Sequence, residues 1–114
     1  MTSADDIKAV IASIRMRRNK WILSRRPKNI KTLQDLAITD SIAFDFIYQK
    51  LVWQDYISGP EPDNHAKRIP GEVWVFGLAL ENRNCYLKFQ DRPNGVVIWI
   101  SLHIATFPLV FPFK

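Results

Sequence analysis

Three runs of alternating residues leave little freedom to the C-terminal half of the chain: Glu72-Val-Trp-Val-Phe-Gly77, Asn84-Cys-Tyr-Leu-Lys-Phe-Gln90 and Val96-Val-Ile-Trp-Ile-Ser-Leu-His103. Each is rich in β-branched and aromatic side chains, and each is bounded by turn formers. The separators, Glu81-Asn-Arg-Asn84 and Asp91-Arg-Pro-Asn-Gly95, are too short for crossover connections, and Asn94-Gly95 is a strong hairpin signal. The pattern predicts a three-stranded antiparallel meander over residues 72–103. A period of two places Cys85, Leu87 and Phe89 on one side of the second strand and Tyr86, Lys88 and Gln90 on the other. In the third strand it sets Ile98, Ile100 and Leu102 against the helices, with Trp99, Ser101 and His103 on the polar face.

The N-terminal half has helical spacing. Ser3 is placed to cap a helix whose first turn carries Asp5 and Asp6, where the helix dipole favours acids. Ile7, Val10, Ile11 and Ile14 then form one apolar stripe, predicting a helix that ends between Asn19 and Trp21. Pro27 closes whatever helix precedes it. Thr32 is expected to cap a short turn with Asp35. Thr39 is expected to cap a longer helix from Asp40 to about Trp53 that buries Ile42, Phe46, Ile47 and Leu51. Residues 54–71, containing Ser58-Gly-Pro-Glu-Pro-Asp-Asn64, read as a Gly/Pro-rich connection, and Phe107 to Lys114 as an extended arm around the core. The expectation is one α+β domain over residues 1–114, with a basic helical half (1–53) packed on a C-terminal antiparallel sheet and tail (72–114).

Charge is distributed unevenly. The formal net charge is +5, yet residues 8–31 hold nine basic side chains and no acid, while residues 32–114 hold seven basic and nine acidic ones. Such a segment suits phosphates or an acidic partner, and Arg17, Arg18, Lys20, Arg25 and Arg26 are its candidate phosphate contacts, with Trp21 a candidate base stacker. The alternative for Trp21 is a place in the core. The N-terminus has no basic and apolar leader, and no run reaches the ~18 apolar residues of a membrane span, so a cytoplasmic protein without membrane contact is expected. With one cysteine, Cys85, and two distant histidines, His65 and His103, neither a metal centre nor a cofactor is expected.

The polar face of the meander offers the residue types of a ribonuclease that works through the RNA 2′-hydroxyl. That reaction needs a base for the 2′-OH, a cation for the charge that develops on phosphate and an acid for the departing 5′-oxygen. Histidine serves as base or acid near neutrality, which makes His103 the first candidate. Lys88 suits a phosphate clamp and Tyr86 a proton-orienting group or a base stacker. The structural alternatives are a solvated strand end for His103 and edge protection for Lys88. Ser101 reads as a spacer, because no acid follows to complete a triad, and His65 as a solvated loop residue beside Asp63.

The order of these segments resembles the MqsR family of type II toxins, which belong with the RelE-like ribonucleases. The likeness lies in Leu51-x-x-x-Asp55-Tyr56-x-Ser58, Gly59-Pro-Glu-Pro-Asp63, Gly71-Glu-Val-Trp-Val-Phe-Gly77, Cys85-Tyr-Leu-Lys-Phe89, Ser101-Leu-His103 and the aromatic-proline tail from Phe107. It covers roughly residues 30–114. The resemblance implies a RelE/MqsR-like fold and a metal-independent endoribonuclease that cleaves mRNA, with ribosome association possible. A cognate antitoxin is the implied protein partner. It places His103 and Tyr86 as catalytic residues, with Lys88 beside them; Lys88 and Arg83 are the candidates on this sheet to supply the phosphate-binding cation. Two family positions are not matched: Ile57 stands where the family has a lysine, and Gln54 lies too far before Tyr86 to be the family's glutamine. Two other readings stay open. One is an inactive RNA- or protein-binding module of the same fold, and the other an adaptor that engages an acidic protein through residues 15–31.

Overall fold

The computed structural model describes residues 2–62 and 69–114, so His65 and Asp63 lie outside the described residues. The chain runs through α1 (Ala4–Met16), β1 (Trp21–Leu23), α2 (Pro27–Leu36), α3 (Asp40–Lys50), β2 (Tyr56–Pro62), β3 (Glu72–Leu80), β4 (Arg83–Asp91) and β5 (Val97–Ile104). Single 3-10 turns occupy Arg18–Lys20 and Trp53–Asp55. The strands form one five-stranded mixed sheet in the order β1-β5-β4-β3-β2, in which only the β1–β5 pair is parallel. The fold is α+β.

The local signals at the helix starts operate as their chemistry requires. Ser3 Oγ accepts from the Asp6 N–H at 3.1 Å while the Asp6 carboxylate accepts from the Ser3 N–H at 3.3 Å, a capping box that closes the N-terminus of α1. Thr39 Oγ1 accepts from the Ile42 N–H at 3.1 Å and caps α3. The meander forms with the expected strands, β3 turning into β4 through Glu81 and Asn82, both at positive φ (48° and 64°). A two-residue loop of that hand matches the twist of the flanking strands. The β4–β5 turn closes through Gly95 N–H to Arg92 C=O at 2.9 Å, with Gly95 at φ 90°.

Several expectations are corrected. The helical half contains a strand, because Trp21 and Leu23 alternate into the core while Ile22 points out, and the three residues pair with Val97–Trp99 along the edge of β5. The Gly/Pro-rich connection contains a strand: β2, over Tyr56–Pro62, pairs with β3 through two register shifts, and an edge position tolerates its prolines. Pro27 starts α2 rather than only stopping what precedes it, since a first-turn proline loses no helical hydrogen bond. Thr32 is therefore inside α2. Helix α3 is rotated from the expected face: Ala43, Phe44 and Ile47 are buried and Ile42 is 44% exposed.

The most consequential correction lies in β5. Lys88 pairs with Ser101 but Phe89 pairs with Trp99, so Ile100 is an extra residue with no partner of its own on β4. This bulge resets the alternation. Leu102, Trp99 and Val97 all join the core with Leu87 and Phe89, although Leu102 lies three positions after Trp99. Ile98 and Ile100, expected against the helices, lie on the opposite face with Ser101 and His103.

Helices α1 and α3 cover one face of the sheet, where Ile7, Val10, Ile11, Ile14, Phe44 and Ile47 meet Phe76, Leu87, Phe89 and Trp99. Trp21 belongs to this core and is not a base stacker. Its indole N–H donates to Ile14 C=O at 2.8 Å, and its ring lies 4.9 Å from that of Trp99. Helix α2 has another task. Strand β1 ends before β5 does, and the exposed edge of β5 is completed by side chains of α2. Asn29 donates to Ile100 C=O at 3.0 Å and accepts from Leu102 N–H at 2.9 Å, and Thr32 Oγ1 accepts from Ile104 N–H at 3.0 Å. Asn29 is fully buried and thus substitutes for a missing strand.

Candidate functional site

The face of the sheet opposite α1 and α3 carries Tyr86, Lys88 and Gln90 of β4 beside His103, Ser101 and Ile98 of β5. Tyr86 and His103 are direct cross-strand partners, and their rings stack with centroids 5.5 Å apart and planes 22° apart. Lys88 and Ser101 form the adjacent pair. The bulge at Ile100 lies on the far side of Ser101 from His103, so it corrects the core without moving His103 off this face.

The His103 ring is oriented by a backbone contact. Its Nδ1 is 3.1 Å from Ile104 C=O, and a carbonyl only accepts, so Nδ1 carries the hydrogen in that contact and Nε2 is the nitrogen left to face a ligand. His103 lines a cavity of about 250 Å³ with Lys28, Lys31, Arg83 and Thr106. Three cationic side chains thus share that cavity with the imidazole. One acid, Asp35, is present in that lining, and it pairs with Lys31 at 3.2 Å.

Tyr86 is half-buried, and burial, aided by the negative charge of Glu61, pushes its phenol pKa up from the usual tyrosine range. The hydroxyl therefore stays protonated at neutral pH and acts as a hydrogen donor. Phe107, 58% exposed, sets its ring edge-on to Tyr86 at 6.2 Å, which adds an accessible aromatic surface next to the pair. Behind it the tail lies close on the sheet. A Cβ at Gly77, the β3 partner of Tyr86, would come within 2.8 Å of Leu109 Cδ1 and Phe111 Cζ. The tail finishes with Phe113 against Trp53 and Tyr56 and with a 3.0 Å ion pair from Lys114 to buried Asp55.

The basic segment is not the free track its sequence suggests. Arg17 donates to Asp91 at 2.8 Å, to Gly95 C=O at 3.0 Å and to Ser13, tying the end of α1 to the β4–β5 turn. Arg18 lies over the rings of Trp21 and Phe44 and pairs with Asp45 at 3.1 Å. Arg25 pairs with Asp40 at 3.1 Å, and Arg15 donates to the carbonyls of Tyr48 and Leu51 at the end of α3. These arginines join elements of the fold. Lys20 is exposed beside Gly95, away from the Tyr86–His103 pair. Of the five candidates in the segment, Arg26 alone reaches the polar face, donating to Ser101 Oγ at 3.3 Å. Arg83 is exposed and also reaches it, in the His103 cavity.

Sequence reasoning missed Lys28, Lys31, Arg92 and Phe107 as members of this face. Their placement depends on where α2 and the tail dock, which no local pattern announces. Among the described residues, no group of three or more His, Cys, Asp or Glu is arranged to hold a metal ion, and no helix is long and apolar enough to cross a membrane. Cys85 is fully buried in the core, and desolvation pushes its thiol up to about 11, which leaves it un-ionised at neutral pH. No family model matches the chain, and no curated protein or solved structure matches it.

Proposed function

We propose that this protein is an endoribonuclease of the RelE/MqsR-like toxin type that cleaves mRNA at the Tyr86–His103 pair without a metal ion. The supporting observation is the imidazole itself: a side chain oriented by a backbone contact at Nδ1, stacked on a protonated tyrosine and sharing its cavity with Lys28, Lys31 and Arg83. His103 Nε2 takes the proton of the ribose 2′-hydroxyl. The 2′-oxygen bonds to phosphorus, the bond from phosphorus to the 5′-oxygen breaks, and the leaving oxygen gains a proton from Tyr86 or Lys88. No water is consumed, and the products are a 2′,3′-cyclic phosphate and a 5′-hydroxyl. Arg83 and Lys88 hold the phosphate as charge builds on it, the task preorganised cations perform best. A cognate antitoxin that covers this basic face in the cytoplasm is the partner that accompanies the reading.

Purified protein incubated with a synthetic RNA in EDTA tests it. The expected result is fragments ending in 2′,3′-cyclic phosphate. RNA left intact, or fragments with a 3′-hydroxyl end, removes the mechanism.

A second reading is favoured by the aromatic surface of Tyr86 and Phe107 among cations, which equally suits stacking of single-stranded bases. In that reading the face binds RNA and does not cut it, and the EDTA experiment returns intact RNA bound in a salt-sensitive way.

A further inference from the structure

A second concavity opens on the same sheet face, beyond Ser101 from His103. It has a volume of about 340 Å³, and Arg26, Arg92, Ser24 and Gln90 line it over a floor that includes Ile98 and Ile100. Arg26 enters from the start of α2, where it is the N-cap residue and no side chain satisfies the helix end, so the positive pole of the dipole adds to its charge. Arg92 enters from the β4–β5 turn, oriented by a 3.0 Å hydrogen bond from its Nε to Gln90 Oε1. Gln90 is itself fixed, being 2% exposed and donating to the carbonyls of Ile69 and Gly71 at 2.8 and 3.3 Å. Among the described residues, no carboxylate lines this groove. It combines two guanidiniums, a hydroxyl and an apolar floor, the chemistry of a phosphate joined to a sugar and base.

We propose that this groove is a second phosphate subsite, which holds the backbone of a single-stranded RNA lying across the sheet from the Tyr86–His103 pair. The proposal rests on the ribonucleic-acid reading of the face. Gln90 lies four strand steps from Tyr86, which at ~3.3 Å each is about 13 Å. The subsite therefore engages a phosphate other than the scissile one. A dinucleotide with one phosphate cannot fill both positions, whereas a hexanucleotide can. The bulge at Ile100 becomes part of the design, since it turns Ile98 and Ile100 outward to make the groove floor while Trp99 stays in the core.

The test compares wild type with the double substitution R26Q/R92Q. Binding of a fluorescent, fully 2′-O-methylated hexanucleotide, which cannot be cleaved, is measured by anisotropy over a range of salt. Cleavage of an unmodified dinucleotide is measured in parallel. The double variant is expected to bind the hexanucleotide at least ~10-fold more weakly. Its slope of log affinity against log salt should be shallower by about 0.7, the contribution of one single-strand phosphate contact. Its cleavage of the dinucleotide should stay within about twofold of wild type. If the double variant does not fold, Ile98→Glu, which sets a carboxylate on the groove floor, is expected to weaken hexanucleotide binding in the same way. Equal affinity and equal salt slope overturn the subsite, even where cleavage is seen. Arginine-dependent binding by a protein that cuts neither substrate keeps the subsite and removes the ribonuclease mechanism.

Discussion

Tyr86 and His103 face each other across β4 and β5 with their rings stacked, so neither side chain can be re-aimed without the other. Tyr86→Phe keeps that stack and removes only the hydroxyl. The expected result is folded protein whose cleavage rate is lower by at least ~10-fold with little change in RNA affinity, because a lost proton donor affects the transition state more than binding. Equal rates for the two proteins would reduce Tyr86 to a packing and stacking role.

Asn29 replaces a strand at the edge of β5, and its three hydrogen bonds, to Ser24, Ile100 and Leu102, are all satisfied inside the protein. Asn29→Ala leaves buried backbone groups unpaired and should cost about 2–4 kcal/mol in a urea unfolding titration. Asn29→Asp should also destabilise, because it keeps the acceptor for Leu102 and loses both donations. A loss below ~0.5 kcal/mol for both variants would mean that the edge is satisfied in another way.

Arg17 is a structural residue in spite of its place in the basic run. Removing its bonds to Asp91, Gly95 and Ser13 by Arg17→Gln should lower stability by about 1.5–3 kcal/mol, the range for hydrogen bonds to charged groups. Affinity of the folded protein for a single-stranded oligonucleotide should stay within twofold. An affinity loss as large as that from removing Arg83 would return Arg17 to the binding surface.

Cys85 links stability to alkaline pH. Its thiol rises from an ordinary value of 9.0 to about 11 in the folded protein, so between those values the unfolded chain has lost the proton and the folded one has kept it. This contribution to stability is therefore full below pH 9 and is lost as pH rises toward 11, about 3 kcal/mol in total. Cys85→Ala removes this contribution. Urea midpoints of the variant should fall less steeply than those of wild type from pH 9 to 10.5; parallel curves would mean that the thiol is not desolvated.

What could be read from sequence was local. The caps at Ser3 and Thr39, the Asn94-Gly95 turn and the alternation of Cys85 to Gln90 depend on residues within a few positions of one another, and each occurs in the fold. Strand β1 has only three residues and a parallel partner more than seventy positions away, so Trp21 to Leu23 carried no strand signal of their own. The bulge at Ile100 is silent for a similar reason. Ile98, Trp99, Ile100 and Leu102 are all apolar, and apolarity alone does not say which of them face the core. The arginines of residues 15–25 read as a free track in the sequence because their carboxylate and carbonyl partners come from α3 and the β4–β5 turn, far along the chain. Tyr86 and His103 were recognisable as candidates from strand parity. That Lys28, Lys31 and Phe107 gather around them required the docking of α2 and of the tail.

The most direct measurement of the central claim is the single-turnover rate of RNA cleavage by wild type and by His103→Ala, with EDTA present throughout. His103 is partly exposed, so its loss should leave the fold intact by circular dichroism. The expected result is wild-type cleavage and a rate at least ~10²-fold lower in the variant, the low end for losing a general base. Equal rates in two folded proteins, or no cleavage by either, would contradict the assignment of this sheet face as a ribonuclease site.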